Sequence, residues 1–278
     1  MALISAHLIL DSVTALDASA RGRVAIAASH GGLFAGYLAA KSGIGAVILC
    51  DAGIGRERAG IDALSYLGNL GVPAAAISHR SARIGDGADC ARRGIISFAN
   101  ALAVAHGIQP GMPAREALDR LAAVNLPPCR SPPPQHEARH NLADGQASGV
   151  RVFALDSASL VTPDDIGQII FTGSHGGLLG GRPETAVKYP VFAAVYNDAD
   201  RGIDDAGVSR LPALEARGIA AATVSVWSAR IGNGLSTYHD GYISAVNEVA
   251  KRHGGEVGIS ALELTRRLVA ARIEELKR

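Results

Sequence analysis

A motif that places a histidine before two glycines occurs twice in the sequence. Residues 29–33 (SHGGL) recur as residues 174–178, 145 positions further along the chain. Glycines let backbone N–H groups approach a ligand and form an oxyanion hole, and a histidine acts as a general acid or base. The alternative is a structural turn in which the histidine caps the next helix. We predict the catalytic role, with Ser29, His30, Ser174 and His175 as catalytic residues and Gly31, Gly32, Gly176 and Gly177 against the substrate.

A second repeated motif contains an arginine. Residues 81–85 (SARIG) recur as residues 228–232, at an offset of 147. A guanidinium offers paired donors that suit a carboxylate or a phosphate. We therefore predict an anion clamp, formed by Ser81, Arg83, Ser228 and Arg230. The alternative is an arginine that pairs internally with Asp51 or Asp198.

Aspartates recur in the same register. Asp51 and Asp198 are expected to assist the histidines, and a further set is expected to contact the substrate: Asp11, Ser12, Asp156 and Ser157. Asp11, His30 and Asp51 are weak candidates for a divalent metal site, because carboxylates and imidazole are metal ligands but no compact ligand motif accompanies them. The alternative is that these aspartates cap helices or brace His30 and Arg83. We predict no cofactor and leave a divalent metal as the alternative.

Cys50 ends an apolar run, with the Ser-His-Gly sequence upstream of it. This order resembles that of caspase-like cysteine peptidases, over these two short loops alone. Asn197 occupies the corresponding position in the second copy, so a buried thiol without a catalytic role is the better interpretation. Glycine-rich nucleotide motifs and the nucleophile elbow of α/β-hydrolases do not occur in their usual contexts.

The two motifs belong to a repeat that runs through the chain and indicates an internal duplication. We predict two α/β units, residues 1–125 and 150–278, joined by a proline-rich linker or lid at residues 126–149. In the first unit the pattern predicts strands at 7–12, 24–29, 46–50 and 73–78, and helices at 33–41, 57–70, 88–105 and 114–124. Apolar strands that alternate with helices favour largely parallel sheets covered on both faces, here related by a pseudo-two-fold axis.

The repeated polar residues fall at the carboxyl ends of these strands, where open α/β sheets bind ligands. Because the copies differ, as at Cys50 and Asn197, there are either two sites or one site between the units. The linker adds His136, Glu137, Arg139 and His140, which either close over a site or are solvated.

Composition limits the classes of function. A formal net charge of +1 in 278 residues, with 4% aromatic residues, argues against a nucleic-acid partner. Three cysteines, no basic leader and no long apolar run lead us to expect a cytoplasmic protein that has no membrane partner. Alanine-rich helices leave flat faces that suit a homo-oligomer.

Together these residues predict a hydrolase that cleaves an amide, ester or lactone of a small carboxylated or phosphorylated metabolite. An isomerase or lyase would use the same groups, and a non-catalytic ligand-binding or sensor protein is the alternative from another class.

Overall fold

The chain is an α/β fold with two mostly parallel sheets, in a computed structural model that describes residues 7–142 and 149–277. Neighbouring strands in the first sheet are also consecutive in the sequence, and only the last of the five is antiparallel. The strands are β1 (His7–Leu10), β2 (Val24–His30), β3 (Ala46–Cys50), β4 (Ala74–Ile77) and β5 (Ile96–Ala99).

The second sheet has six strands, of which the middle four are parallel and the two at the edges are antiparallel. They are β6 (Arg139–Leu142), β7 (Val152–Leu155), β8 (Ile169–His175), β9 (Ala193–Asn197), β10 (Ala220–Val224) and β11 (Ile243–Val246). We refer to β1–β5 with their helices as the first half, and to β6–β11 with their helices as the second half.

Helices or 3-10 turns connect the parallel strands, and the helices cover the sheets. Those of the first half are α1 (Leu33–Lys41), α2 (Asp62–Asn69), α3 (Gly87–Arg93), α4 (Ala101–Ala105) and α5 (Ala114–Ala122). Those of the second half are α6 (Arg210–Glu215), α7 (Gly234–His239), α8 (Glu248–Arg252) and α9 (Ala261–Leu276). In the described residues, none of these helices has the length and apolar composition that crossing a bilayer requires.

Small and branched apolar side chains fill both faces of each sheet. In the first half Ile26 and Ile48 belong to one buried cluster, whereas Ala25 and Val47 belong to a cluster on the opposite face. A strand that is buried on both sides needs apolar residues at every position, which explains the continuous apolar runs of the sequence.

The helix predicted at residues 88–105 is wrong, because α3, β5 and α4 occupy this segment. Gly94 ends α3, where a Cβ would lie 3.0 Å from Ile77 Cγ2 and 3.2 Å from Ala114 Cβ. The chain leaves the helix at Gly94, and the next residues pair with the edge of β4. The start of the helix predicted at 57–70 is also wrong, because a 3-10 turn (Arg56–Ile61) precedes α2.

The linker is packed against both halves where the structure describes it. Leu126 and Cys129 are buried, and the Cys129 N–H donates to the Ile44 carbonyl of the first half. Further on, β6 pairs with β7 at the edge of the second sheet.

Loops that follow the strands join the two halves. Arg83 Nε donates to Asp204 Oδ2 at 3.0 Å, and Arg230 Nη1 donates to Glu57 Oε2 at 2.6 Å. The backbone N–H of Arg56 donates to the Val226 carbonyl at 2.8 Å. The strand ends of the two halves therefore face each other.

A substitution at Gly55 can test how closely the two halves pack against each other. Gly55 has φ +65°, and a Cβ there would clash with Val226 Cγ2 and lie 2.7 Å from the Val226 carbonyl oxygen. We expect Gly55→Ala to lower the free energy of unfolding by about 2–5 kcal/mol, since left-handed backbone and overpacking add.

The matched control is Gly22→Ala, since Gly22 has φ +68° but nothing within 4 Å of its Cβ position. This variant has the backbone strain without the clash, so its free energy of unfolding should fall by about 1–2 kcal/mol. Denaturant unfolding of both variants measures the difference. Equal losses would contradict close packing between the halves.

Candidate functional site

The two repeated histidines lie together at the junction of the halves. His30 is the last residue of β2 and His175 the last residue of β8, and their ring centroids are 6.4 Å apart. Both rings line a cavity of about 370 Å³. A smaller cavity of about 170 Å³ shares His30, Phe34 and Glu137 with it. Both cavities take residues from both halves.

The cavity collects only part of the predicted set. The predicted residues that line it are Ser12, Ser29, His30, Asp156, Ser157, Ser174 and His175. Arg230 lines the smaller cavity. The other predicted residues line neither cavity: Asp11, Gly31, Gly32, Asp51, Ser81, Arg83, Gly176, Gly177, Asp198 and Ser228.

Each histidine is held in one tautomer by its own turn. The Gly32 N–H donates to His30 Nδ1 at 3.1 Å, and the Gly177 N–H donates to His175 Nδ1 at 3.1 Å. Because Nδ1 accepts a hydrogen bond, the neutral ring carries its proton on Nε2. Among the described residues neither Nε2 has a protein partner, so each ring is available as an Nε2–H donor.

Both rings are also kept neutral. Burial lowers the pKa of His30 from 6.5 to about 4. Burial, followed by the charge of Arg210, holds the pKa of His175 well below its ordinary value. A protonated ring would have to direct an Nδ1–H at the N–H of the turn, which opposes protonation further. These histidines are therefore suited to donate hydrogen bonds rather than to accept protons.

The amides of the two glycine pairs are already used. Gly31 N–H donates to the Cys50 carbonyl at 2.7 Å and Gly176 N–H to the Asn197 carbonyl at 2.8 Å, while Gly32 and Gly177 donate to the histidines. The expected oxyanion hole of Gly-Gly amides does not fit these contacts, whereas the histidine Nε2–H groups have no protein partner among the described residues.

The serine hydroxyls hold neighbouring backbone. Ser29 Oγ accepts from the Val13 N–H and Ser174 Oγ from the Ala158 N–H, both at 2.9 Å. In the part of the chain that the structure describes, no serine hydroxyl is hydrogen-bonded to His30 or His175. The geometry gives no activated serine nucleophile.

Asp11 and Asp156 stabilise helix starts. Asp11 Oδ1 accepts from the Gly87 N–H at the start of α3, and Asp156 Oδ1 accepts from the Gly234 N–H at the start of α7, both at 3.0 Å. Asp156 Oδ2 also accepts from the Ala138 N–H at 2.8 Å, which anchors the linker beside the cavity.

Asp51 and Asp198 brace loops instead of the cavity histidines. Asp51 Oδ1 accepts from the His79 N–H at 2.9 Å and lies 2.8 Å from His79 Nδ1. Asp198 Oδ1 accepts from the Val226 N–H at 2.9 Å. Burial raises the pKa of both carboxyls, but the His79 contacts outweigh it at Asp51 and lower its pKa, whereas that of Asp198 is raised.

The SARIG motifs are internal braces as well. Ser81 Oγ accepts from the Ile95 N–H and Ser228 Oγ from the Tyr242 N–H. Arg83 and Arg230 form the ion pairs between halves described above. The arginines are thus paired internally, but with Asp204 and Glu57 rather than with Asp51 and Asp198.

His136 of the linker lines the smaller cavity, and the next residue, Glu137, is the second ionisable group of the linker at the site. Glu137 lines both cavities. Burial raises its pKa from 4.5 to about 7, opposed by a hydrogen bond with Ser157 and reinforced by the charge of Asp156. A carboxyl group with a pKa near neutrality can take up and release a proton during a reaction.

Sequence reasoning missed Arg210, which is 5% exposed and lines the cavity beside His175. Its position in the repeat corresponds to Ala63, since both backbone N–H groups donate to the first glycine of the turn, Gly176 or Gly31. The signal available in the sequence was that a charged residue occupies a helix position at which the other copy of the repeat has an alanine.

The weak metal candidates are not assembled. Asp11 and Asp51 are engaged at separate loops, and no group of three or more His, Cys, Asp or Glu side chains in residues 7–142 and 149–277 is arranged to hold a metal ion. Cys50 is buried, as predicted, with its Sγ 3.5 Å from Cys90 Sγ. The Cys90 contact, followed by burial, raises the pKa of the Cys50 thiol, which disfavours a thiolate nucleophile.

Comparisons with protein-family models, with curated proteins and with solved structures found no match to the chain.

The low pKa of His30 predicts a specific acid sensitivity. Below pH 6.5 the unfolded chain binds a proton that folded His30 accepts only near pH 4, so stability falls as the pH is lowered through this window. As the pH is lowered from 6.5 to about 4, we expect the free energy of unfolding of His30→Gln to fall by about 1–3 kcal/mol less than that of the wild type. Urea unfolding between about pH 8 and pH 4 measures this. At pH 8 the His30 ring is neutral in both the folded and the unfolded wild type, so the difference in stability between variant and wild type there reports only the substitution. Parallel stability curves would contradict a neutral, desolvated His30.

Proposed function

We propose that the chain is an enzyme that polarises the carbonyl group of a small anionic metabolite and moves a proton at that carbonyl. The observation that supports this most is the joint placement of His30 and His175 as neutral donors in one cavity with Glu137. A neutral imidazole donor and a carboxyl group with a raised pKa form a known acid–base pair for carbonyl chemistry.

Hydrolysis of an amide, ester or lactone is the first reaction that we assign to this site. The Glu137 carboxylate takes a proton from water as the water oxygen adds to the carbonyl carbon. The carbonyl oxygen becomes negative and accepts hydrogen bonds from the Nε2–H groups of His30 and His175. Collapse of the adduct breaks the bond to the leaving group, which receives the proton held by Glu137.

Proton abstraction is the second candidate, as an isomerase or lyase would perform it. The neutral state of both histidines favours it, because a neutral donor stabilises an enolate without adding a net charge. Glu137 would then take a proton from the carbon beside the carbonyl.

We also infer that the two halves arose by duplication and are related by a pseudo-two-fold axis. Support comes from matching contacts, such as Gly32 to His30 and Gly177 to His175, and Arg83 to Asp204 and Arg230 to Glu57. A cavity at the junction that is lined by both histidines is a feature that such an arrangement would produce. A cytoplasmic location, a homo-oligomeric state and the absence of nucleic-acid and membrane partners remain parts of this proposal.

One NMR experiment separates the reactions. The protein is incubated in D₂O with a panel of carboxylated esters, amides and lactones. Hydrolysis produces free acid with no carbon-bound deuterium, whereas proton abstraction places deuterium next to the carbonyl. Binding that leaves every probe unchanged would favour the ligand-binding or sensor alternative and overturn the enzyme proposal.

Glu137→Gln tests the proton-transfer role on any probe that reacts. We expect kcat to fall by about 10²–10⁴-fold, because a general base contributes a factor of this size. In the wild type, kcat/KM should rise with pH and reach half of its maximum near pH 7, as Glu137 loses its proton.

The matched control is Glu184→Gln, which changes an exposed carboxyl group at the same cavity. It should keep most of the activity and the same pH profile. An active Glu137→Gln variant with the wild-type profile would remove Glu137 from the mechanism.

A further inference from the structure

Arg210 carries a buried positive charge that no carboxylate neutralises among the described residues. Its Nε donates to the Gly177 carbonyl at 2.9 Å and its Nη1 to the Ala186 carbonyl at 2.6 Å. The guanidinium carbon lies 4.9 Å from the centre of the Tyr196 ring. Two carbonyls, the Tyr196 hydroxyl and the Tyr196 ring solvate the charge, but they leave it without a counter-ion.

The buried positive charge of Arg210 favours the binding of an anion. Removing a cation from water is costly unless it is paired, so buried arginines normally face a carboxylate or a phosphate. A guanidinium has five N–H donors, more than these contacts use. Because Arg210 lines the cavity, an anionic group there can reach its remaining donors.

We propose that Arg210 binds the carboxylate of a small monocarboxylic acid, and that this acid is the substrate class of the cavity. Naming it as substrate rests on the proposed function, whereas the binding itself rests on the buried charge. Phe34, Leu38 and Val187 line the same cavity and would contact the apolar part of the acid.

The other charges of the cavity favour a carboxylate over a phosphate. Glu137, Asp156 and Glu184 line it together with Lys188, which is exposed at its edge. Three carboxyl groups repel a dianion more strongly than a monoanion, so a singly charged ligand matches the site better.

The position of Arg210 also locates the carboxylate relative to the reacting group. Arg210 holds the Gly177 carbonyl, and Gly177 in turn donates to His175 Nδ1. The bound carboxylate therefore lies on the His175 side of the cavity. A substrate whose carbonyl meets both histidines carries its carboxylate close to that carbonyl.

Direct binding tests this without an assay for turnover. Isothermal titration calorimetry is run on the full chain with butyrate and benzoate, and with butyramide and inorganic phosphate as comparison probes. We expect the two carboxylates to bind and the neutral amide and phosphate to bind far more weakly. Arg210→Met should weaken carboxylate binding at least about tenfold, the worth of one charge-assisted hydrogen bond.

Arg115→Met is the matched control, since Arg115 is paired with Asp119 at the surface of α5 and lies outside the cavity. It should bind butyrate as the wild type does. If Arg210→Met fails to fold, Leu38→Trp fills the cavity without touching the contacts of Arg210, and it should abolish binding as well.

Phosphate binding that requires Arg210 would overturn the choice of a carboxylate. Undiminished carboxylate binding to folded Arg210→Met, or no carboxylate binding to the wild type, would overturn the site. If Arg210→Met does not fold, carboxylate binding that survives Leu38→Trp would overturn it. Glu137→Gln should still bind butyrate. If carboxylates bind through Arg210 but the panel shows no reaction, the proposed function fails and the carboxylate site stands.

Discussion

The hydrogen bond from the second glycine of each repeated turn to the histidine before it determines what the cavity can do. It occupies Nδ1, places the neutral proton on Nε2, and makes each ring a donor toward the cavity. The bond also explains the glycine. A Cβ on Gly32 would lie 2.7 Å from His30 Nδ1, and one on Gly177 would lie 2.9 Å from His175 Nδ1. The contact with the histidine therefore requires a glycine as the second residue of the pair, and the N–H of that glycine is not free to bind a ligand.

The rings are brought together by loops whose backbone is under strain. The non-glycine residues with positive φ in the described chain all fall at residues 52–58 and 199–205, and they include the β-branched Ile54 at +66°. Such conformations persist only where surrounding contacts enforce them. Here Glu57 and Asp204 extend from these loops to the arginines of the opposite SARIG motifs.

Those ion pairs seat the last glycine of each SARIG motif against the histidine of the other half. A Cβ on Gly232 would lie 3.3 Å from His30 Cε1, and one on Gly85 would lie 3.4 Å from His175 Cε1. The two repeated motifs therefore act together, because the last SARIG glycine of each half packs against the histidine of the other half. This geometry accounts for their joint repetition better than an anion clamp does.

The sequence predicted what depends on local pattern and missed what depends on contacts between the halves. Buried strands and α1 follow from apolar runs and turn residues, and the α/β class with parallel sheets is confirmed. The partners of Arg83 and Asp51 were not predictable, because Asp204 and His79 reach them only through the folded loops. The residues at 88–105 have helical composition, yet pairing with β4 prevails over it.

The most informative differences lie where the two halves depart from each other. In the first half α1 packs so closely on α2 that a Cβ on Gly36 would lie 2.9 Å from Ala63 Cβ, which leaves no room for a larger residue at position 63. The second half has two 3-10 turns, Leu179–Gly181 and Pro183–Thr185, in place of that helix. The space that a helix would fill admits the Arg210 side chain, which reaches the Ala186 carbonyl beyond the turns. The absence of a helix at this place in the second half thus makes room for the buried cation of the cavity, which the first half, with Ala63 at the corresponding position, does not supply.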